Sequence, residues 1–365
     1  MTAHVPRDLL ELLVVTSVAS ERALPRTEEL DNCPICGGGA TSEIFSSPDL
    51  LHGVPGIFNY HRCNSCWSVF QNPMVVKEDL HLCYPKEYSP YCYDPETPNI
   101  DFDSSADGVK TALRNAVAKS VWGEPIDGFV GLVAQLLAKS RVIRERAFFG
   151  IVDDEYIPRS REDQYALDIG CGAGWMLKRL TKVGWLAEGI EWDSDAARLA
   201  EQRTGNKVLA GDFMDIALPT GKYRLVTLSH VFEHLYHPRL ALERFYELLA
   251  PGGTLILRFP NCNALDAKIY RGEWFCWEVP RHLILPSAKA ILSLAEDVGF
   301  IDPVLRTNVA KWVWQSSKAY GLGENPELVR PELSLGENAK FQLQRFLNAL
   351  DFKVGSEMIA IFRRG

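Results

Sequence analysis

The 365-residue chain contains no run of the roughly 18 unbroken apolar residues that a membrane-spanning helix requires, so no span is expected. Its longest amino-terminal apolar stretch, near Leu9–Val18, is preceded by Asp8 and interrupted by Glu11. Without a basic leader or a small-residue cleavage site, that stretch is not expected to be a secretory signal. Basic charge is also short: 39 Lys and Arg face 47 Asp and Glu, a formal net charge of −8. That balance argues against a broad nucleic-acid-binding surface. Internal repeats and low-complexity tracts are absent. What remains is an ordinary globular composition, 47% hydrophobic and 24% charged, with length enough for two domains. Nine cysteines without an export signal are expected as reduced thiols in a cytoplasm, where clustered pairs favour metal over disulfides.

Four segments differ in pattern. Residues 1–30 read as an amino-terminal arm with a short helix. Residues 31–95 are rich in Cys, Pro, Gly and aromatics and lack periodicity, as in a small lobe held by something other than a large core. Residues 96–160 form a helical connector, with Ala112, Leu113, Ala116, Val117 and Val121, then Phe129, Leu132, Val133, Leu136 and Leu137, at helical spacing. Those faces either pack on the next domain or form a lid, a dimer face or a lipid-contacting surface. From 161 to 365 strands and helices alternate. Strands are expected at Tyr165–Ile169, Leu186–Glu191, Val208–Asp212, Arg224–Ser229 and Thr254–Phe259. Helices lie between them at Trp175–Lys182, Ala196–Arg203 and Arg239–Leu249. Such alternation implies an α/β fold with a doubly wound, Rossmann-like sheet. A last helix at Ser287–Val298 and two late strands, Val304–Thr307 and Glu357–Phe362, are expected to close the sheet as a hairpin edge.

The most informative stretch is Ala166–Trp175, Ala-Leu-Asp-Ile-Gly-Cys-Gly-Ala-Gly-Trp. An apolar strand runs into Gly170, Gly172 and Gly174 and then at once into a helix. Glycines there let the backbone turn sharply and approach a ligand that a Cβ would block. Asp168 at the strand end can accept hydrogen bonds or face a positive charge. Glu191, at the end of the second strand, is placed to accept both hydroxyls of a ribose, because ligands of open α/β sheets lie beyond the strands' carboxyl ends. Asp212 can accept from an adenine amino group while Phe213 packs on the ring. A dinucleotide fingerprint requires Gly-x-Gly-x-x-Gly or Ala; here the spacing is Gly-x-Gly-x-Gly, and Trp175 would crowd a pyrophosphate. The ligand is therefore read as adenosine-bearing but without phosphates.

Leu167–Gly174 resembles motif I of class I S-adenosylmethionine-dependent methyltransferases. Gly189-Ile-Glu-Trp-Asp193 resembles their second motif, Gly211-Asp212-Phe213 their adenine motif, and Ser229–Leu235 their fourth-strand motif. Leu249–Thr254 resembles the "LxPGG" turn before strand five. The resemblance runs in order over about residues 165–305. It implies that Gly170 and Gly172 contact the methionine moiety, Glu191 the ribose, and Asp212 and Phe213 the adenine. The candidate cofactor-binding set is thus Asp168, Gly170, Cys171, Gly172, Gly174, Glu191, Trp192, Asp212, Phe213, Ser229 and His230.

Cys33-Pro-Ile-Cys36 and Cys63-Asn-Ser-Cys66 are two C-x₂-C knuckles separated by 26 residues. Four thiolates can enclose one structural Zn²⁺ and leave it no open position for catalysis. The arrangement resembles the zinc-binding lobe that precedes the methyltransferase domain in some bacterial small-molecule methyltransferases, C-methyltransferases of nucleotide-linked deoxysugars among them. Val69–Pro73 and Tyr84-Pro85…Tyr88 are similar to the tail of that lobe. Trp67 departs from it, since a glycine is common after the second knuckle. Cys83, Cys92, Cys171, Cys262 and Cys276 lack ligand spacing and read as ordinary small residues.

Methyl transfer from a sulfonium is an in-line displacement; the enzyme must align the acceptor and exclude water, and needs a base only if the acceptor carries a proton. His230, Glu233 and His234 follow the fourth strand, where they either act chemically or support the next helix. Tyr270–Leu283 gathers Tyr270, Trp274, Trp277, Arg281 and His282 in one loop, and resembles a "Pro-Arg-His-Leu" element bordering the acceptor pocket of this group. His282 is the preferred base, with His230 and Glu233 as further catalytic candidates; the other reading of His282 is a hydrogen-bonded helix-entry residue. Arg281 is a candidate for holding an acidic acceptor group, and Tyr270, Trp274 and Trp277 for stacking on a flat or sugar-like one. The expected partner is a small-molecule acceptor such as a nucleotide-linked sugar. Methylation of RNA gripped by the zinc lobe and a non-catalytic S-adenosylmethionine-binding protein are the alternatives.

Overall fold

Strands form where apolar residues alternate or run unbroken, and both patterns occur, in different halves of the chain. The computed structural model describes residues 23–85, 108–140, 156–160 and 162–365, together with 143, 144 and 147. The expected amino-terminal helix, Tyr88 and Cys92 lie outside the described residues. The small lobe has strands Thr27–Glu28 (β1), Thr41–Ser47 (β2), Phe58–Cys63 (β3), Val69–Gln71 (β4) and Met74–Val75 (β5). In β3 Phe58 and Tyr60 are buried while Asn59 and His61 are half-exposed, the alternation of a sheet covered on one face. Strands β2, β3 and β4 form an antiparallel meander, and β1 pairs with β5. Each knuckle turns through a left-handed residue, Gly37 at φ 72° and Trp67 at φ 66°. Glycine takes that conformation without steric cost, which is the physical sense of the departure at Trp67.

Two connector helices, Gly108–Val121 and Gly128–Leu137, pack against each other. Ala116, Val117 and Ala134 are buried in a core shared with Leu177 and Leu180. The expected second apolar face is only partly covered: Phe129 is 79% exposed, Leu132 57% and Leu136 57%.

The large sheet contains Tyr165–Ile169 (β6), Leu186–Glu191 (β7), Lys207–Ala210 (β8), Tyr223–Ser229 (β9), Leu249–Pro260 (β10), Phe300–Asn308 (β12) and Glu357–Arg364 (β13). The intervening Ile284–Leu285 (β11) leaves this sheet and pairs antiparallel with β4 of the small lobe. The order is β12-β13-β10-β9-β6-β7-β8, parallel except that β13 runs antiparallel to both β10 and β12. The expected doubly wound architecture is therefore present as a seven-stranded mixed sheet. The late strands do not form a hairpin: helices Lys311–Gly321 and Leu335–Ala349 intervene, and β13 lies inside the sheet with β12 at its edge.

Local chemistry sets the helix ends. Asp193 Oδ1 accepts from Asp195 N at 3.0 Å and Ala196 N at 2.8 Å to start Ser194–Thr204, and Gly205 at φ 69° stops it. Ser287 caps Ala288–Val298 in the same way. Leu225, Leu228, Leu242, Phe245, Leu255 and Phe259 are buried between sheet and helices; each such side chain contributes about 1.5–3 kcal/mol. Among the described residues no helix is long and apolar enough to cross a membrane.

Candidate active site

The unbroken burial of Ala166–Ile169 places β6 at the sheet centre, so the glycine turn emerges at its carboxyl end. Gly170 N and Cys171 N both donate to Ile190 O, at 2.8 and 3.1 Å, lacing the turn to β7. Gly170 has φ 70°, and a Cβ there would lie 2.3 Å from Val231 Cγ2. Gly172 N donates to Glu191 Oε2 at 2.8 Å, while Glu191 Oε1 accepts from Asp193 N at 3.1 Å. Burial raises the Glu191 carboxyl above its ordinary range, with the main-chain donors opposing the shift.

One cavity of about 670 Å³ opens beside this turn. Of the residues expected to hold the cofactor, Gly170, Gly172, Glu191, Trp192, Asp212, Phe213, Ser229 and His230 line it. Asp212 Oδ2 accepts from Lys77 Nζ at 2.8 Å, and Phe213 packs on Phe245 with centroids 5.3 Å apart. Asp168, Cys171 and Gly174 do not line the cavity. Asp168 Oδ1 accepts from Thr227 Oγ1 at 2.8 Å, tying β6 to β9, and burial pushes its carboxyl up to about 7. Cys171 is buried beside Gly189, and a Cβ on Gly174 would lie 2.6 Å from Thr204 Cγ2. These three pack the turn.

At the far end the cavity meets Glu278, His282 and His234, with Glu233 buried behind them. His282 Nδ1 donates to Cys276 O at 2.8 Å, and its Nε2 lies 3.5 Å from Glu278 Oε2 and 3.7 Å from Glu233 Oε1. Burial dominates and pulls His282 down to about 4, although Glu278 and Glu233 oppose it. His230, at φ 56°, sits between Glu357 Oε1 at 2.7 Å and Glu233 Oε1 at 3.3 Å. Burial disfavours its charge, but the two carboxylates outweigh that and push it up to about 10. The two carboxylates thus favour the charged form of His230. Burial works to raise the Glu233 carboxyl, and its imidazole neighbours hold it below the ordinary value.

The rest of the expected acceptor set is not brought to the cavity. Arg281 is fully buried, bidentate on Asp49 at 2.8 and 3.1 Å, and staples the two halves of the chain together. Trp274 is fully buried and donates from Nε1 to Asp266 Oδ2 at 3.1 Å. Trp277 packs between the lobes against Phe45, centroids 4.9 Å apart. Tyr270 lies edge-on to Trp314 at 5.4 Å. In their place the cavity gathers Lys77, Leu80 and Tyr84 from the small lobe and Trp312, Ser316 and Arg330 from the carboxyl-terminal insertion. Apart from Tyr84, which falls in the stretch similar to the tail of the zinc lobe, no motif marks them in the sequence. His234, which accompanies Glu233, was legible from its neighbours alone.

The four knuckle cysteines stand apart from the cavity. Cys33 Sγ is 3.8 Å from Cys66 Sγ and Cys36 Sγ is 3.5 Å from Cys63 Sγ, and one ligand atom from each lies within 4.8 Å of the others. Sulfurs about 2.3 Å from a tetrahedral zinc are about 3.8 Å apart, so the cluster is compatible with that ion.

A doubly wound sheet with a glycine turn after its first strand and an acid at the end of the next is the Rossmann-like architecture. Residues 139–302 match a family model described as a methyltransferase domain. The chain carries a class I S-adenosylmethionine-dependent methyltransferase domain, joined to a small sheet that bears a four-cysteine cluster. It is 27% identical over 207 residues to an uncharacterized 37.1 kDa protein of a Streptomyces fradiae transposon, covering 52% of this chain and 59% of that one. It is 33% identical over 95 residues to an uncharacterized methyltransferase of Mycobacterium bovis, covering 25% and 48%. The chain thus spans about half the length of the curated relatives it matches. A methyltransferase structure from Archaeoglobus fulgidus aligns at 19% identity with a TM-score of 0.41, covering 65% of this chain and 100% of that one.

Proposed function

We propose that the protein transfers the methyl group of S-adenosylmethionine to a small-molecule acceptor, with a nucleotide-linked sugar or a comparable biosynthetic intermediate as the leading class. The observation that carries this reading is the single cavity joining Glu191 and Asp212 at one end to Glu278, His234 and His282 at the other. The first end suits a ribose and an adenine; the second supplies polar groups for the acceptor. In the transfer the S–CH₃ bond breaks with its electron pair returning to sulfur, and an acceptor lone pair forms the new bond. The cavity walls exclude water and align the two. His282, whose burial favours the neutral ring, and Glu233 are the candidates for handling an acceptor proton, and the carboxylates beside His230 favour its charged form. The cysteine cluster holds a structural zinc on this reading, with all four coordination positions taken by protein sulfur.

Calorimetry with S-adenosylmethionine is expected to show binding to the wild type and at least tenfold loss in Glu191→Ala, because the buried carboxylate loses its ribose partners. Unchanged affinity would overturn the assignment of Glu191. A transfer screen over nucleotide-sugars, small metabolites and RNA, with labelled cofactor and mass readout, identifies the acceptor; methylation of RNA alone would replace the small-molecule reading.

A further inference from the structure

Glu233, His234 and His282 form a cluster with an unresolved hydrogen-bond balance. One ligand-capable atom from each lies within 4.8 Å of the other two. Glu233 is fully buried, and its Oε2 has no hydrogen-bond partner among the described residues. An unpaired buried carboxylate oxygen is costly, and His230, which reaches Oε1 at 3.3 Å, leaves Oε2 unanswered. Both histidines spend Nδ1 on main-chain carbonyls: His282 on Cys276 O at 2.8 Å and His234 on Arg281 O at 2.9 Å. Nδ1 of His234 also lies 3.0 Å from the Tyr84 hydroxyl. A ring that donates from Nδ1 keeps a bare lone pair on Nε2. In His282 that lone pair lies 3.5 Å from Glu278 Oε2 and 3.7 Å from Glu233 Oε1. Imidazoles anchored through one nitrogen on a main-chain carbonyl, beside a carboxylate, are the surroundings in which metal-ligating histidines are held.

We propose that Glu233, His234 and His282 bind a divalent transition-metal ion at the acceptor end of the cavity, a second metal site distinct from the four-cysteine cluster. Two imidazoles and one carboxylate suit Mn²⁺, Co²⁺, Fe²⁺ or Zn²⁺. Nitrogen and oxygen ligands about 2.0–2.2 Å from such an ion lie about 3–3.5 Å apart, so the 3.7 Å approach of His282 Nε2 to Glu233 Oε1 must contract slightly, and the full set, within 4.8 Å, must close further on the ion. Three protein ligands leave positions open toward the cavity that His234 and His282 line. With the ion bound, His282 and Glu233 serve as ligands in place of proton acceptors, and an acceptor oxygen is the fitting occupant of the open positions, which narrows the acceptor class to molecules presenting a hydroxyl or a hydroxyl–carbonyl pair. The inference rests on reading this cavity as the transfer site.

The test uses the full chain with its cysteine cluster loaded and MnCl₂ as the probe, because Mn²⁺ prefers oxygen and nitrogen donors to thiolates. Electron paramagnetic resonance counts free Mn²⁺ during the titration. One saturable site is expected in the wild type, with affinity at least tenfold weaker in Glu233→Gln and in His282→Gln, while zinc content stays constant. Glu233→Gln keeps the side chain's shape, and circular dichroism verifies its fold; His234→Gln is the second variant if it does not fold. No saturable site, or equal affinity in the folded variants, overturns the proposal. Calorimetry with S-adenosylmethionine runs in parallel. Cofactor binding without Mn²⁺ binding refutes the metal site and leaves the methyltransferase reading standing, whereas loss of cofactor binding in the wild type strikes that reading instead.

Discussion

Replacing Arg281 with methionine keeps most of the side-chain volume and removes one fully buried charge. In the wild type its guanidinium donates to Asp49 Oδ2 at 2.8 Å and Oδ1 at 3.1 Å, with both side chains at 0% exposure. It also donates to Cys83 O at 3.1 Å and Val279 O at 3.2 Å. Breaking a buried pair by removing one partner costs about 3–5 kcal/mol, because the other charge stays desolvated. Asp49 would still accept from Leu51 N, His52 N and Val54 N. Those donors soften the loss toward the lower end, about 3 kcal/mol. Urea unfolding followed by tryptophan fluorescence measures it, and the double variant Asp49→Asn/Arg281→Met should recover at least about 1 kcal/mol through coupling. The pH dependence has a definite sign. Burial works to raise the Asp49 carboxyl, but Arg281 and the main-chain donors outweigh it and hold the group below its ordinary value. A depressed carboxyl contributes stability that is present above its unfolded pKa, about 3.9, and is lost as pH falls through the lower folded value. The difference between wild type and Arg281→Met should therefore shrink in acid. A loss under about 1 kcal/mol, or a difference that grows in acid, would refute the buried staple.

Two further outcomes test other parts of the molecule. Burial holds the Asp168 carboxyl up at about 7, so its contribution is fully present below its unfolded value, about 3.9, and is lost as pH rises through about 7. Asp168→Asn should accordingly gain at least about 1 kcal/mol on the wild type between pH 4 and 8, read from unfolding midpoints; a flat comparison would mean the carboxyl titrates normally. Cys63→Ser should drop zinc below one ion per chain by elemental analysis and lower the melting temperature, while full zinc retention would contradict a four-sulfur site.

Much of this molecule is legible along the chain because its causes are local. The strand, the turn at Gly170 and Gly172 and the helix from Trp175 follow from apolar runs and backbone freedom, and they lie where the sequence places them. Glu191 and Asp212 reach the cavity because strand ends in an open sheet face one side. The loop Tyr270–Leu283 was legible as dense but not as to purpose. The same aromatic and charged residues serve an acceptor pocket or an interface between lobes, and nothing local distinguishes the two. Trp274, Trp277 and Arg281 turned out to meet Asp266, Phe45 and Asp49, partners up to 232 residues away.

By itself the sequence determined the doubly wound class, the strand-end residues that line one part of the cavity and the clustering of four cysteines, since each depends on spacing within a few residues or on strand order. Only the tertiary structure decided that β11 completes the small lobe's sheet, that Lys77, Leu80 and Tyr84 wall the cavity, and that His234 and His282 meet over Glu233. Those arrangements depend on burial and on contacts between distant segments. Composition and periodicity carry no record of which charge is paired or which aromatic is enclosed.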